Sequence, residues 1–306
     1  MYKVLSRFIP TDRVLVNEPM SRHTSFKIGG PALIYVQPSS QDELIKIVSE
    51  CRNNGAPFII VGRGTNILVS DEGVKKVVIQ LHPNFGGCSL INERDLSRGN
   101  KVLMRADAGT LLSAAADAAI NNSLTGLEFA SGIPGTVGGA VVMNAGAYGH
   151  DISHVCESVD ILTTDGGVKT LSKDEMRFAY RQSTVKQSKA IVLNAVFALS
   201  HGEKDKIAEY TKDLNKRRLN TQPLEYPSAG SVFKRPEGYY AGKLISDSGL
   251  KGFAIGGAQV SEKHAGFIIN TGGATSQNVL DLIVHIQKTV NKKFGVRLET
   301  EIEYIS

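Results

Sequence analysis

The chain has 306 residues, of which 42% are hydrophobic and 21% charged, and its formal net charge is +5 with a pI near 9.0. This composition is typical of a globular protein, and the length allows about two domains of roughly 150 residues each. No apolar run reaches the roughly 20 residues that span a membrane, and the N-terminal residues lack a signal-peptide core, so we expect a cytoplasmic protein without a membrane partner.

The charge and cysteine patterns exclude several classes of binding protein. The sequence has no long basic tail, zinc-finger spacing or RNA-binding aromatic motif, so we expect no nucleic-acid partner. Cys51, Cys88 and Cys156 are far apart and form no C-x-x-C pair, which gives no support for a cysteine-rich metal site and agrees with a reducing compartment. The modest positive charge indicates either an ordinary solvated surface or a pocket for an anionic ligand.

The first 122 residues alternate between helical and strand-like patterns. Residues 38–55 predict a helix that Ser40 and Glu43 begin with a capping box and that ends near Gly55. Residues 57–73 then predict a strand, a glycine turn and a second strand. Further strands are predicted over 75–81 and 101–109, and an alanine-rich helix over 110–122.

The second half of the chain continues this mixed pattern. A strand-like run that ends in a turn at Asp165–Gly166 is predicted over 157–166, a second strand over 190–199, a charged helix over 203–218, and a strand over 261–270. Residues 276–295 predict an amphipathic helix that Ser276 caps and Gly295 ends. In residues 296–305, alternation places Val296, Leu298, Ile302 and Tyr304 on one face of a last predicted strand.

The segment VGRGTN, residues 61–66, joins two apolar runs. Gly62 and Gly64 allow a sharp turn that exposes successive backbone N–H groups, and such a nest binds phosphate. The segment is neither a Walker loop nor a Rossmann fingerprint, because its G-x-G leads into a strand. From the pattern alone, a tight β-turn without a ligand is an equally good interpretation.

The segment SGIPGTVGGAVVMNAGAYG, residues 131–149, contains six glycines and no charged side chain. Its Ile, Val and Met residues are not typical of a flexible linker. Gly135, Gly138 and Gly139 would let a flat aromatic ring lie against the backbone, with their amides bonded to ring or phosphate oxygens. A buried seam of small residues is the alternative interpretation.

Several motifs, in this order along the chain, resemble the UDP-N-acetylenolpyruvoylglucosamine reductase family. The likeness extends over nearly the whole chain and is closest to the shorter branch of the family, which lacks an extra substrate-covering loop. One departure is Ala229, where the family has Cys. The motifs are RHTSFKIGGPA (22–32), VGRGTN (61–66), SGIPGTVGGAVVMNAGAYG (131–149), YRQS (180–183), GSVFKRP (230–236), EKHAGFIIN (262–270) and LETEIEYI (298–305).

The resemblance implies an α+β fold with a two-part FAD-binding domain of the vanillyl-alcohol-oxidase (PCMH) type, followed by a C-terminal α+β substrate domain. We expect the FAD-binding domain over 1–205, with its two subdomains divided near 75–80, and the substrate-binding domain over 206–306. Because residues 62–66 contain no His to tether a flavin, we expect non-covalent FAD. The implied FAD-binding residues are Gly62, Arg63, Gly64, Thr65, Asn66, Ile133, Gly135, Thr136, Gly138, Gly139 and Asn144.

The resemblance also implies the reaction, in which NADPH supplies a hydride through FAD to the vinyl carbon of UDP-N-acetylglucosamine enolpyruvate. The product is UDP-N-acetylmuramate, a precursor of peptidoglycan. Charge then develops next to the substrate carboxylate, which needs a cation, and the adjacent carbon needs a proton donor. Arg181 matches the family's carboxylate-binding arginine, Ser231 its general acid and Glu301 its catalytic glutamate. Without the motifs, all three would be ordinary surface or turn residues.

The diphosphate of the substrate requires cations, for which we expect Lys234 and Arg218 to serve. His150 and His154 are read as part of a turn, and no metal site is expected. Two alternatives remain open: a flavin-dependent sugar or alcohol oxidase of the same fold, and a non-catalytic flavin- or nucleotide-binding module. The sequence does not determine the oligomeric state, for which we favour a monomer.

Overall fold

The computed structural model describes residues 1–91 and 101–306. Among the helices in these ranges, none is both long and apolar enough to cross a membrane. The α-helices are α1 (Tyr2–Leu5), α2 (Gln41–Asn53), α3 (Leu112–Asn121), α4 (Val137–Met143), α5 (Thr184–Ser188), α6 (Lys204–Thr221), α7 (Ala241–Asp247) and α8 (Ser276–Phe294). The strands are β1 (Val14–Pro19), β2 (Pro31–Val36), β3 (Phe58–Val61), β4 (Ile67–Val69), β5 (Val74–Gln80), β6 (Cys88–Ile91), β7 (Lys101–Asp107), β8 (Leu124–Thr125), β9 (Gly146–Ala147), β10 (His150–Asp151), β11 (Cys156–Leu162), β12 (Val168–Ser172), β13 (Ile191–His201), β14 (Ser228–Ser231), β15 (Ala254–Ile255), β16 (Ala258–Val260), β17 (Phe267–Asn270) and β18 (Glu303–Ile305).

The chain forms two compact units and passes between them several times. The first unit contains Met1–Val14, Val36–Gly62 and Ile79–Arg218, and the second contains Leu15–Tyr35, Arg63–Val78 and Leu219–Ser306. These units are defined by their packing. The expected domains, 1–205 and 206–306, are instead defined by what each is expected to bind, FAD or the substrate. That division therefore stays a prediction.

The first unit is built on a sheet with the order β12-β11-β13-β7-β6, in which β8 also pairs with β13. The pairs between neighbouring strands of this sheet are antiparallel. The helix α3 packs one face against the same core, on which Ala115, Ala116 and Ala119 are at most 1% exposed. Because alanine side chains are short, α3 and the glycine-rich segment that follows it can pack close to the sheet.

The second unit has a four-stranded sheet with the order β14-β17-β16-β15, and a separate parallel pair formed by β4 and β18. The helix α8 covers this core with one apolar face, which includes Val279, Leu282, Ile286 and Val290. Phe26, Ile28 and Leu68, from much earlier in the chain, belong to the same core. Residues from both ends of the sequence therefore complete one hydrophobic interior.

The four predicted helices are present as α2, α3, α6 and α8, although two capping predictions are partly wrong. Ser40 caps α2 and accepts the Glu43 N–H, as expected. The Glu43 carboxylate does not close the capping box: it accepts the Ser39 N–H at 2.7 Å and pairs with Arg13. At α8 the cap is Thr275, which forms a capping box with Asn278, while Gly295 ends the helix in the left-handed conformation as predicted.

Two strand predictions are more than twice as long as the strands observed. Of residues 261–270 only Phe267–Asn270 form a strand, because Ser261 instead accepts the N–H groups of Lys263 and His264 in a turn. In residues 296–305 only Glu303–Ile305 form a strand. Leu298 and Ile302 are buried as expected, but Tyr304 is 47% exposed, so the predicted apolar face is only half correct.

Candidate functional site

The first unit brings the two glycine-rich segments into contact at Gly62. A Cβ atom at this position would lie 3.0 Å from Thr136 Oγ1, so a larger residue would force the segments apart. The Gln80 side-chain amide donates a hydrogen bond to the Gly62 carbonyl and fixes this end of the turn. Gly62 and Thr136, which the family resemblance places together at the cofactor, are neighbours in the structure.

In the second unit, Gly64 is needed for the packing of its own loop. Its φ is +65°, and a Cβ atom would lie 2.1 Å from the His23 carbonyl oxygen. The Ser25 N–H donates to the Gly64 carbonyl at 3.0 Å, which holds the loop on residues 23–25. Arg63 beside it is exposed and Thr65 is half-buried. The packing of Gly64 and the hydrogen bond from Ser25 therefore fix this loop on residues 23–25.

A buried polar chain supports the residues on which Gly64 lies. The Tyr35 hydroxyl is 3.0 Å from His23 Nδ1, and His23 Nε2 is 3.0 Å from Glu18 Oε1. Burial raises the pKa of Tyr35, so its hydroxyl keeps its proton and can donate to His23 Nδ1, while His23 Nε2 can donate to Glu18. Sequence reasoning missed this chain, since its members are separated in sequence and carry no motif of their own.

Asn66 joins the end of the first loop to the C-terminal motif within the second unit. Its side-chain amide donates to the Glu301 carbonyl at 3.2 Å, and its own carbonyl accepts the Glu303 N–H at 3.0 Å. These bonds extend the parallel pair of β4 and β18. Asn66 thus has a structural role, in which it holds the backbone at Glu301, in addition to the cofactor role that the resemblance implies.

The second unit also brings Ser231 close to Glu301. The Glu301 N–H donates to the Val232 carbonyl at 2.7 Å, and the Lys234 N–H donates to the Glu299 carbonyl at 2.8 Å. Residues 232–234 therefore run alongside residues 299–301, and Phe233 forms an antiparallel bridge with Thr300. The two motifs that carry the expected acid and glutamate are adjacent backbone segments.

Lys234, expected to bind the substrate diphosphate, has an acidic partner. Its Nζ lies 3.0 Å from Glu299 Oε2, and its side chain is 33% exposed compared with 74% for Glu299. Such a solvated pair is weak, typically below about 1 kcal/mol, so an incoming phosphate can compete for the ammonium group.

In the second glycine-rich segment, the structure separates the roles of Gly138 and Gly139 in α4. A Cβ atom at Gly138 would lie 3.0 Å from Ala108 Cβ, and its N–H donates to the Ala108 carbonyl at 2.9 Å. Gly139 is exposed, and a Cβ atom there would meet only Thr136 Oγ1, at 3.6 Å. Gly138 therefore packs against the interior, while Gly139 presents bare backbone to solvent.

The expectation that the amides of these glycines bond to cofactor oxygens is wrong for Gly138, whose N–H has an internal acceptor. The Gly139 N–H donates to Thr136 Oγ1, the N-cap of α4, at 3.3 Å. Gly135 has a φ of +147°, and its carbonyl accepts the Leu112 N–H at 3.0 Å. Ile133 is half-buried and packs against the core of the first unit. Part of the segment is buried and packs against the core, and part of it exposes backbone. The two interpretations from the sequence, a buried seam of small residues and a surface for a flat ring, therefore each describe a part of it.

Arg181 lies in a tight turn next to the end of the second glycine-rich segment. Ala179 and Gln182 exchange backbone hydrogen bonds of 3.1 Å across this turn, and Arg181 has a φ of +58°. Its guanidinium carbon lies 4.9 Å from the centre of the Tyr180 ring. Asn144, expected to bind the cofactor, has its side chain bonded to Ala179 and to two other residues of the same unit.

Arg218 also lies beside the second glycine-rich segment, in the first unit. A Cβ atom at Gly132 would come within 3.1 Å of Arg218 Cδ, and burial lowers the pKa of the Arg218 guanidinium. One turn earlier in α6, the Leu214 carbonyl accepts the Tyr148 hydroxyl at 2.9 Å. A partly desolvated guanidinium interacts strongly with anions, which agrees with the expected substrate role of Arg218.

Comparison with known families gives matches to both parts of the chain. Residues 32–172 match the family described as FAD binding domain. Residues 222–305 match the family described as UDP-N-acetylenolpyruvoylglucosamine reductase, C-terminal domain. The first match supports the flavin-binding fold that the resemblance implied, and together the matches confirm the α+β architecture.

Individual relatives extend over the whole length. The UDP-N-acetylenolpyruvoylglucosamine reductase of Caldanaerobacter subterraneus is 51% identical over 98% of this chain and 96% of that protein. The reductase of the same name from Clostridium perfringens is 48% identical over 99% of this chain and 97% of that protein. The crystal structure of UDP-N-acetylenolpyruvylglucosamine reductase from Thermus caldophilus has a TM-score of 0.77 and 33% identity, and the match covers 96% of this chain and 98% of that one. The resemblance found in the motifs is thereby confirmed, and this chain belongs to the UDP-N-acetylenolpyruvoylglucosamine reductase family.

Proposed function

We propose that this chain reduces UDP-N-acetylglucosamine enolpyruvate to UDP-N-acetylmuramate in peptidoglycan synthesis, using NADPH as the electron donor and FAD as the cofactor. The observation that carries the proposal is the near full-length identity of about half the residues to reductases of this name, with Arg181, Ser231 and Glu301 all present. An oxidase or a non-catalytic module would not need these three side chains together.

The residues of the glycine-rich segments are suited to FAD. Gly139 offers exposed backbone against which a flat ring can lie, and Gly62 and Thr136 hold the two segments in contact. When bound, FAD supplies the hydride-transfer chemistry, and residues 61–66 contain no His that could attach it covalently. The residues that we propose to bind it are Gly62, Arg63, Gly64, Thr65, Asn66, Ile133, Gly135, Thr136, Gly138 and Gly139. Gly138 belongs to this set because it lets α4 pack closely against Ala108, and not through its N–H, which has an internal acceptor; Asn144 is treated separately because its side-chain amide is bonded within the protein.

Arg181 is proposed to bind the enolpyruvyl carboxylate of the substrate. Hydride addition to the vinyl carbon creates negative charge on the neighbouring carbon, and this charge spreads onto the carboxylate. A guanidinium stabilises that charge because it can donate two parallel hydrogen bonds and keeps its proton at neutral pH. Its interaction with the carboxylate strengthens as the charge develops, which is the condition for lowering the barrier.

Ser231 is proposed to donate the proton that completes the reduction, with Glu301 assisting this transfer. A serine hydroxyl is a weak acid, but the carbanion that it protonates is a strong base, so a weak donor is sufficient. The short Glu301 N–H to Val232 carbonyl bond supports this assignment because it fixes the backbone segment that carries Glu301 beside the one that carries Ser231.

Lys234 and Arg218 are proposed to bind the substrate diphosphate. We further propose that residues 1–205, divided near 75–80, form the FAD-binding part and residues 206–306 the substrate-binding part, and that the protein acts in the cytoplasm as a monomer. Cross-linking and gel filtration test the oligomeric state.

The test is a purified preparation in which loss of NADPH absorbance is followed with and without the enolpyruvyl sugar nucleotide. We expect a yellow protein and NADPH oxidation that depends on the nucleotide. Ser231→Ala should still let NADPH reduce the flavin, while reoxidation by substrate falls at least 100-fold, in line with loss of a general acid. Ser228→Ala, in the same strand β14, is the matched control.

If both half-reactions had the same rates in Ser231→Ala and wild type, Ser231 would not be the general acid. Oxygen consumption with a sugar alcohol would instead favour the oxidase alternative.

A further inference from the structure

Asn144 lies at the point where the second glycine-rich segment meets the turn that carries Arg181. It is 2% exposed and ends α4 in the left-handed conformation, with φ 43° and ψ 57°. Asparagine tolerates this conformation better than other residues with a side chain, apart from aspartate. The position therefore allows an amide side chain to be buried at the helix end.

All polar atoms of the Asn144 side chain are used inside the first unit. Nδ2 donates to the Ala179 carbonyl at 3.1 Å and to Asp151 Oδ2 at 3.2 Å, while Oδ1 accepts the Ser153 N–H at 3.0 Å. Two acceptors face the NH₂ group and one donor faces the carbonyl, so the partners alone fix the amide orientation.

The bond to Ala179 reaches the turn directly before Arg181. The Ala179 carbonyl also accepts the Gln182 N–H at 3.1 Å, so the Asn144 amide and the closing bond of the turn share one acceptor. The Asn144 backbone carbonyl in turn faces the guanidinium of Arg181, with NH1 at 3.5 Å. Asn144 thus contacts both the start of the turn and the side chain that the turn presents.

The turn itself is strained. Arg181 has a φ of +58° and is not a glycine, and this unfavourable conformation persists only where the surroundings enforce it. The enforcing contacts include Ser183, fully buried, whose hydroxyl donates to the Val142 carbonyl of α4 at 2.8 Å. The end of α4 therefore holds the turn from both sides of Arg181.

We infer that Asn144 is a positioning residue for the substrate carboxylate, which acts by holding the Ala179–Gln182 turn so that the Arg181 guanidinium is placed before substrate arrives. This inference rests on the proposed function, because it takes Arg181 to be the carboxylate-binding group. It reassigns Asn144 from cofactor binding to orientation of a neighbouring side chain.

The physical reason is preorganisation. An arginine side chain that must be ordered on binding loses rotamer freedom, and this loss of entropy weakens binding. A guanidinium that is already held in place avoids this loss, so the free energy of its two hydrogen bonds to the carboxylate contributes fully to binding. Removing Asn144 should therefore weaken recognition of the carboxylate and leave recognition of the rest of the nucleotide unchanged.

The experiment compares holoenzyme variants by calorimetric titration with two ligands. UDP-N-acetylmuramate carries the carboxylate, and UDP-N-acetylglucosamine lacks it. Asn144→Gly keeps the left-handed backbone accessible and deletes the amide, so we expect about tenfold weaker binding of the muramate and less than twofold change for the glucosamine. Asn122→Gly, which removes the amide that bonds the Ala118 carbonyl at the end of α3, is the matched control and should change neither affinity.

A double-mutant cycle separates positioning from general structural damage. In an Arg181→Lys background, Asn144→Gly should have little further effect on muramate binding, since the residue acts through the guanidinium. Equal weakening of both ligands, or additive effects in the cycle, would overturn the inference. If Asn144→Gly fails to fold, Asn144→Ser is read in the same way. A wild-type protein that binds both nucleotides equally and oxidises no NADPH would instead refute the proposed function.

Discussion

Gly138 and Gly139 are neighbours in α4, yet replacing each with alanine should have opposite effects on the stability of the FAD-free protein. The Gly139 position is exposed, and an added Cβ would make only an ordinary contact of 3.6 Å with Thr136 Oγ1. Alanine is favoured over glycine in a helix by up to about 1 kcal/mol. We therefore expect Gly139→Ala to raise the melting temperature of the FAD-free protein by roughly 1–2 °C.

At Gly138 the same change should destabilise the protein. The added Cβ would lie 3.0 Å from Ala108 Cβ and 3.2 Å from the Ala108 carbonyl oxygen, and the 2.9 Å hydrogen bond to that oxygen prevents the helix from moving away. Overpacking of this kind costs about 1–3 kcal/mol, which exceeds the gain in helix propensity. The net expectation is a loss of about 1–2 kcal/mol.

The assay is thermal unfolding after removal of FAD, followed by titration with FAD through flavin fluorescence. Although Gly139→Ala should stabilise the fold, its methyl group would occupy the surface proposed to face the flavin, so FAD should bind at least tenfold more weakly. If Gly139→Ala bound FAD as tightly as wild type, the exposed backbone of α4 would not be the flavin surface. A melting temperature for Gly138→Ala at or above that of wild type would contradict the packing argument.

Three further predictions concern other parts of the molecule. Gly64→Ala should lower the free energy of unfolding by more than about 3 kcal/mol, because its Cβ would lie 2.1 Å from the His23 carbonyl oxygen at a φ of +65°. Urea unfolding measures this loss, and a value below about 1 kcal/mol would refute the prediction. The Arg13 guanidinium, at 2.7 Å, lowers the pKa of Glu43 to about 2, so the pair contributes stability above the unfolded pKa of Glu43, and this contribution is lost as the pH falls toward 2. Glu43→Gln should therefore be about 1–2 kcal/mol less stable than wild type at pH 7 and equal to it near pH 2, whereas a constant difference across this range would exclude the linkage. Denaturation should release all flavin into the filtrate, and yellow colour retained by the unfolded chain would show covalent attachment.

The sequence predicted the elements with strong periodicity and missed what depends on distant partners. Both Thr275 and Ser276 could cap α8, and the choice is made by Asp71, whose carboxylate accepts the Ser276 hydroxyl at 2.8 Å. Similarly, Glu43 has a better partner in Arg13 than in the backbone of Ser40. No local rule contains this information.

The sequence predicted which residues belong to the site, but not which of them pack against the interior and which are exposed. The family motifs named Gly138, Gly139 and Asn144 together as cofactor-binding residues. Only the packing shows that Gly138 lies against Ala108 and that Asn144 is bonded to Ala179. Because asparagine adopts the left-handed conformation readily, Asn144 could have been predicted to end a helix. Its hydrogen bond to Ala179 could not, because the position of that turn depends on the tertiary fold.

The pairing of β4 with β18 has a consequence for how the polypeptide is made. Asn66 finds its partner Glu301 only 235 residues further along the chain. During translation Leu68 in β4 and its core neighbours Phe26 and Ile28 lack most of their interior until the segment that carries β18 has been synthesised. Contacts so distant in sequence close slowly, and the waiting segments are exposed to aggregation meanwhile. The core of the second unit therefore cannot close until the segment that carries β18 has been synthesised.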